Sequence, residues 1–141
     1  MTDNISAILQ VFSSGFPVLL LHFGLTLMLL VFGGFCYTRL TPFRERELIV
    51  TGNTAAGVVL GGAYIALSIP LAAVLATSAA WLDIVIWGIV AIMLQLATFI
   101  AVVAIYRDLK SMIENGNTAA AALVAGIQIA VALLNAGTMA G

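Results

Sequence analysis

The sequence predicts an all-α integral membrane protein with four transmembrane helices, built as two parallel repeats of a two-helix unit. Three observations lead there. Of the 141 residues, 63% are hydrophobic and 8% charged, and the mean hydropathy is +1.20. A soluble domain carries roughly 25% charged residues, so this chain lacks the charge to cover a surface facing water. Its apolar residues fall into four continuous runs, and four spans of about 20 residues with short links use up the chain. Finally, Gly52-Asn53-Thr54-Ala55-Ala56 returns as Gly116-Asn117-Thr118-Ala119-Ala120, 64 positions later.

The same offset, without a gap, pairs Phe23-Gly24 with Trp87-Gly88, Phe35 with Phe99, Arg46 with Lys110, Ile49 with Ile113 and Gly62 with Gly126. A repeat of this length points to duplication of one supersecondary unit. The chain then divides into an extracytoplasmic N-terminal segment (1–16), a first two-helix repeat (17–76) and a second (77–141). Two spans per repeat give both copies the same topology, which implies a pseudo-twofold axis along the membrane normal.

The first span is expected over 17–37, with Ser13-Ser14-Gly15 as a lead-in and Pro17 in the first turn, where a missing N–H is harmless. Residues 1–10 carry Asp3 and no Lys or Arg. A secretory signal needs a basic start, so this span is read as retained. A link over 38–51 holds Arg39, Arg44, Glu45, Arg46 and Glu47. The second span, 54–76, contains Pro70, which removes a helical donor and predicts a kink. After a turn over 77–82 comes the third span, 83–106, whose one strongly polar interior side chain is Gln95. The link over 107–116 holds Arg107, Asp108, Lys110 and Glu114. The fourth span starts near Thr118 and contains Gln128 and Asn135. Helices follow because unpaired backbone groups are too costly in hydrocarbon. Continuous rather than alternating apolar runs exclude a barrel.

All five basic residues lie in the first and third links. Positive residues stay cytoplasmic, so both charged links are expected to face the cytoplasm and both termini the other side. Trp81 and Trp87 toward one edge and Tyr37 and Tyr106 toward the other suit aromatic belts.

Asn53 and Asn117 each stand before an apolar helix, where asparagine is a strong N-cap. The same positions also raise an anion-binding reading. Two helix N-termini beside basic residues favour anions, which makes Asn53, Thr54, Asn117, Thr118, Arg46 and Lys110 a candidate site for an anion or a lipid headgroup. Gly57 and Gly61, with their repeat partners Ala121 and Ala125, form a small-residue face that Gly62 and Gly126 extend. The second and fourth helices are therefore expected at the packed centre. His22, Gln95, Gln128 and Asn135 are the polar residues inside the spans, a candidate intramembrane polar site. They are weighed against plain interhelical hydrogen bonding. Cys36 stands alone, which excludes an intramolecular disulfide, and reads as a small buried hydrophobe. One Cys and one His, no ligand cluster and no midplane carboxylate pair argue against catalysis, a metal or a cofactor. Five basic residues do not support nucleic-acid binding.

The run Tyr37-Thr38-Arg39-Leu40-Thr41-Pro42, then Glu47-Leu48-Ile49 and Asn53-Thr54-Ala55-Ala56, resembles the bacterial inner-membrane family typified by YjfL. So do Ile69-Pro70-Leu71, Gln95-Leu96, Asn117-Thr118-Ala119-Ala120 and Asn135-Ala136-Gly137-Thr138-Met139. The resemblance covers nearly all of the chain from Val18 onward. It implies a duplicated two-helix membrane domain, an inner-membrane location and an association with envelope or stress-related gene neighbourhoods, but no catalytic or binding residues. The function expected is a non-enzymatic inner-membrane component, an oligomeric scaffold, sensor or partner-binding protein in contact with the lipid bilayer. The alternative is a small transporter or ion-channel subunit, with the anion or anionic-lipid site at the cytoplasmic helix N-termini.

Overall fold

A computed structural model describes residues 2–141. Six α-helices follow one another: α1 (Thr2–Leu40), α2 (Glu45–Val50), α3 (Thr54–Thr77), α4 (Trp81–Ile105), α5 (Leu109–Glu114) and α6 (Thr118–Ala140). There is no strand among the described residues. Four of the helices, α1, α3, α4 and α6, are long and apolar enough to cross a membrane. The chain is thus an all-helical, four-span protein, as its hydropathy requires.

Where α1 starts differs from the expectation. The segment before Pro17 is helical, so α1 has 39 residues and Pro17 lies in its middle. Proline removes one donor, but Ile5, Ile8, Leu9, Phe12 and Phe16 recur at helical spacing and sustain the helix on both sides. The hydroxyls of Ser13 and Ser14 donate to the Gln10 carbonyl at 2.9 and 3.0 Å, so those side chains turn back onto the helix instead of ending it. α3 likewise runs through Pro70 as one element.

Each charged link contains a six-residue helix, and both links stop and restart in the same way. At the end of α2, Gly52 N–H donates to Ile49 O (2.9 Å) and Asn53 N–H to Leu48 O (2.8 Å). At the end of α5, Gly116 N–H donates to Ile113 O and Asn117 N–H to Met112 O, both at 2.9 Å. This is the Schellman arrangement, which places one residue in the left-handed region. Gly52 (φ +86°) and Gly116 (φ +78°) take that place. The next residue closes the finished helix with its N–H and caps the coming one with its side chain. Asn53 Oδ1 accepts from Ala56 N and Asn117 Oδ1 from Ala120 N, both at 3.0 Å. Gly-Asn-Thr-Ala-Ala is therefore a stop and a start written in consecutive residues.

α3 and α6 form the central seam. A Cβ on Gly62 would overlap the Cβ of Ala125, so the two backbones cross closely at this point. Ala121 and Ala125 are buried, as the small-residue reading expects, but Gly57 and Gly61 are not the face they meet. Gly61 is exposed, and a Cβ added to either glycine would have no neighbour within 4 Å. The buried face of α3 carries Ala55, Val59, Gly62, Ala66 and Val74 instead, one position further round than Gly61. α1 docks through its later half, where Gly34 lies under the Tyr64 ring, Gly33 against Leu67 and Ile92, and Leu29 against Gly88.

Candidate functional site: a buried polar file

Helix α6 is apolar along most of its buried face, yet that face includes Gln128 and Asn135. Seven residues separate them, about 10 Å along the axis, so both project to the same side. Gln95 comes from α4 and meets Gln128, its Nε2 donating to the Gln128 carbonyl oxygen at 3.1 Å. The Gln128 side chain in turn donates through Nε2 to Tyr37 Oη at 3.5 Å, and the Tyr37 ring packs on Phe99 with 4.5 Å between centroids. One turn before Gln95, the Ala91 carbonyl accepts from Asn135 Nδ2 at 3.4 Å. All four polar side chains are buried, and Gln95 and Gln128 are each 2% exposed.

A cleft lies near each end of the file. At the far end from the links, Thr138 Oγ1 donates to the Asn135 carbonyl at 2.7 Å. Thr138 lines a cleft of about 400 Å³ that also holds Thr77, Ser78 and Asp83. At the link end, Glu45 lies within Coulombic reach of Tyr37 and lines a cleft of about 480 Å³ with Thr38, Thr41 and Arg46. Glu45 is 3% exposed although it belongs to a charged link. Burial raises its carboxyl above the ordinary carboxylate range, and the nearby Thr41 hydroxyl opposes the shift.

Three buried polar atoms have no hydrogen-bond partner among the described residues: Glu45 Oε1, Gln95 Oε1 and Asn135 Oδ1. All three are acceptors. Each of the three amides donates once through its nitrogen, to a protein carbonyl or to Tyr37, while these oxygens have no partner.

Of the residues singled out in the sequence, the structure brings Gln95, Gln128 and Asn135 together. His22 stands apart, half-buried on α1, four turns before Tyr37, with Thr26 Oγ1 donating to its carbonyl at 2.8 Å. Tyr37 and Glu45 are not readable from residue order as members. Tyr37 suits an aromatic belt, and Glu45 sits among four other charged residues. The offset of 64 does hold one clue, because it sets Glu45 against an apolar residue, Leu109.

The capping asparagines lie elsewhere. Asn53 Nδ2 donates to Ile113 O at 2.8 Å and to Glu114 O at 3.2 Å, tying the start of α3 to the end of α5. Thr54, Asn117 and Thr118 are exposed. Lys110 shares a cleft with Arg44, Glu47 and Glu114, while Arg46 lines the one with Glu45. Arg46 and Lys110 are thus in separate clefts, each with carboxylates beside the cation. No group of three or more His, Cys, Asp or Glu that could hold a metal occurs among the described residues.

The family model described as Domain of Unknown Function (DUF350) matches residues 11–139, which includes every member of the file. The chain belongs to the DUF350 family. It is 32% identical over 105 residues to the UPF0719 inner membrane protein YjfL of Escherichia coli K12, covering 74% of this chain and 80% of the relative. The same figures hold for the YjfL protein of Escherichia coli O157:H7. No solved structure matches. Together with the four apolar helices, these relatives make the chain a multi-pass inner-membrane protein of a family whose function is unknown.

Proposed function

We propose that the protein is a non-enzymatic inner-membrane component that works as an assembly of its own copies, with both termini extracytoplasmic and the charged links cytoplasmic. The confinement of all five basic residues to the links supports the orientation. The observation that carries the assembly is the unpartnered outer half of α1.

Leu29 lies against Gly88 and Gly33 against Ile92, a constant offset of 59 (88 − 29 and 92 − 33). Trp81, the first residue of α4, is then level with position 22 (81 − 59). About 20 residues of α1, or about 30 Å, run on past that level. Ile5, Leu9, Phe12, Phe16 and Leu19 are all exposed there. Their spacing alternates four and three residues, the seam of a left-handed coiled coil, and the Phe12 and Phe16 rings already stack at 5.1 Å. Asn4, Ser6, Gln10, Ser13 and Ser14 occupy other positions of the same stretch. An apolar seam beyond the span, with Ser6 and Ser13 along one flank, fits the same helix of a second copy.

Single cysteines in a Cys36→Ser background test this in native membranes. Leu9→Cys and Phe12→Cys should form disulfide-linked dimers on mild oxidation, and Ser6→Cys and Ser13→Cys should not. Equal cross-linking at all four positions, or none, would defeat the proposal. The runner-up reading, a small transporter or ion-channel subunit, is favoured by one specific observation, the buried polar file.

A further inference from the structure

We propose that the polar file is a passage for small monovalent cations, the proton included, with Asn135 and Gln95 as oxygen way-stations and Glu45 as the acceptor at the link end. This deepens the runner-up reading and does not depend on self-assembly through α1.

The chemistry of the free atoms decides the class of ligand. In a hydrocarbon-embedded bundle, an unsatisfied buried polar group costs several kcal/mol, and polar groups inside membranes mark ion and proton paths. Here the unpaired atoms are two amide oxygens and a carboxylate oxygen, each at least nine-tenths buried. Oxygens arranged along a path replace the hydration shell of a cation or accept from a chain of waters. They offer nothing to an anion.

Position agrees with chemistry. The free oxygens are staged from Asn135 near one cleft, through Gln95, to Glu45 at the other. Both clefts are lined by a carboxylate, Asp83 without a basic neighbour at the far end, where it draws cations to the mouth, and Glu45 at the link end, where Arg44, Arg46 and Glu47 share the lining. Between them, the bond from Gln128 to Tyr37 is the longest of the series at 3.5 Å. The raised affinity of Glu45 for a proton suits a group that receives a proton from the file and releases it into the cleft.

A purely structural role for these amides predicts something else. If Gln95 and Asn135 only hold α4 to α6, replacing them by apolar residues of similar size removes a tie and loosens the fold. If they line a passage, the same change relieves an unpaired oxygen and leaves stability level or higher, while transport is lost.

The experiment uses the purified full chain in liposomes, with proton, sodium, potassium and chloride flux each measured against protein-free vesicles under an imposed potential. Wild type should exceed protein-free vesicles in at least one cation arm and not for chloride. The arm that responds identifies the cation. Asn135→Leu and Gln95→Met should lower that flux by about tenfold or more, with unchanged elution volume and a melting temperature equal to or above wild type. Thr138→Cys in a Cys36→Ser background should become sensitive to an impermeant thiol reagent added from the far side only. Background flux in every cation arm, chloride moving as fast as cations, or wild-type flux in both variants would each overturn the passage. A loss of flux accompanied by an equal loss of folded protein would assign the amides to structure and overturn it too.

Discussion

The two charged links are the same device put to unequal use. Both end a six-residue helix on a left-handed glycine and begin the next on an asparagine cap. Only the first asparagine also reaches across the molecule, to the carbonyls of Ile113 and Glu114. Among the described residues Asn117 Nδ2 makes no such bond to the first link, and it is exposed where Asn53 is half-buried. The buried position that holds Leu109 in the second link holds Glu45 in the first. A frame that depends on backbone geometry tolerates these differences, because caps and Schellman turns need only a few residue types. What diverges is what each link touches, and the difference separates the bonds that shape a link from those that connect it.

That comparison can be broken at four points. The largest effect is expected at the central seam, where Gly62 and Gly126, 64 positions apart, face different surroundings. Gly62→Ala should cost about 1–3 kcal/mol by forcing α3 and α6 apart. Gly126→Ala, with nothing within 4 Å of its added Cβ, should be neutral or stabilising by about 0.5–1 kcal/mol. Thermal unfolding in detergent measures both, and similar losses at the two sites would mean the crossing is placed wrongly.

Next come the caps. Asn117→Ala removes a cap worth about 1 kcal/mol. Asn53→Ala removes a cap and the tie to α5, about 2 kcal/mol in all. Asn53→Asp keeps the cap while setting a carboxylate against two carbonyl oxygens, so it should recover none of the second part. Equal losses in the two alanine variants would show that the bond from Asn53 to Ile113 contributes nothing.

The third point is pH. Because burial raises the Glu45 carboxyl, the folded state holds that proton more tightly than the unfolded chain. Stability should therefore fall as pH rises from the ordinary carboxylate range through the raised value, and the penalty should be complete above it. Glu45→Leu, which copies the second link, should flatten that slope and raise the melting temperature at neutral pH. A slope that persists in Glu45→Leu would place its origin elsewhere.

The smallest effect belongs to the surface pairs. Arg44 and Glu47 meet at 2.8 Å and Lys110 and Glu114 at 4.0 Å, all well exposed. Arg44→Ala and Lys110→Ala should each change stability by about 0.5 kcal/mol or less, with added salt erasing the difference.

Much of this is legible in residue order, and the illegible part has a physical cause. Continuous apolar runs define spans wherever the helices turn, so four helices can be read directly. The rotation of a helix about its axis is another matter: in an Ala- and Gly-rich stretch such as Gly57 to Ala63, several faces are equally small. Gly62 rather than Gly61 meets α6 because of where α4 and α1 also press, and no local pattern carries that. Gln95, Gln128 and Asn135 stand out because amides are conspicuous in an apolar run. Tyr37 and Glu45 do not, since each is an ordinary residue for its surroundings. The helix before Pro17 is hidden when a proline and a Ser-Ser-Gly stretch are read as a beginning, although the apolar spacing from Ile5 to Phe16 continues through them.

The seam between α3 and α6 also bears on how the chain is made. Three residues, 78–80, join α3 to α4, so these two can enter the bilayer together as a hairpin. The chief partner of α3 is synthesised last. Until α6 leaves the ribosome, α3 shows lipid a shallow face of Ala and Gly that gains little from packing against acyl chains, and Gln95 has no Gln128 to meet. The nascent chain therefore passes through a three-span stage in which the Gln95 amide lacks its α6 partner. A chain cut before Thr118 should therefore be targeted to the membrane yet cleared from it.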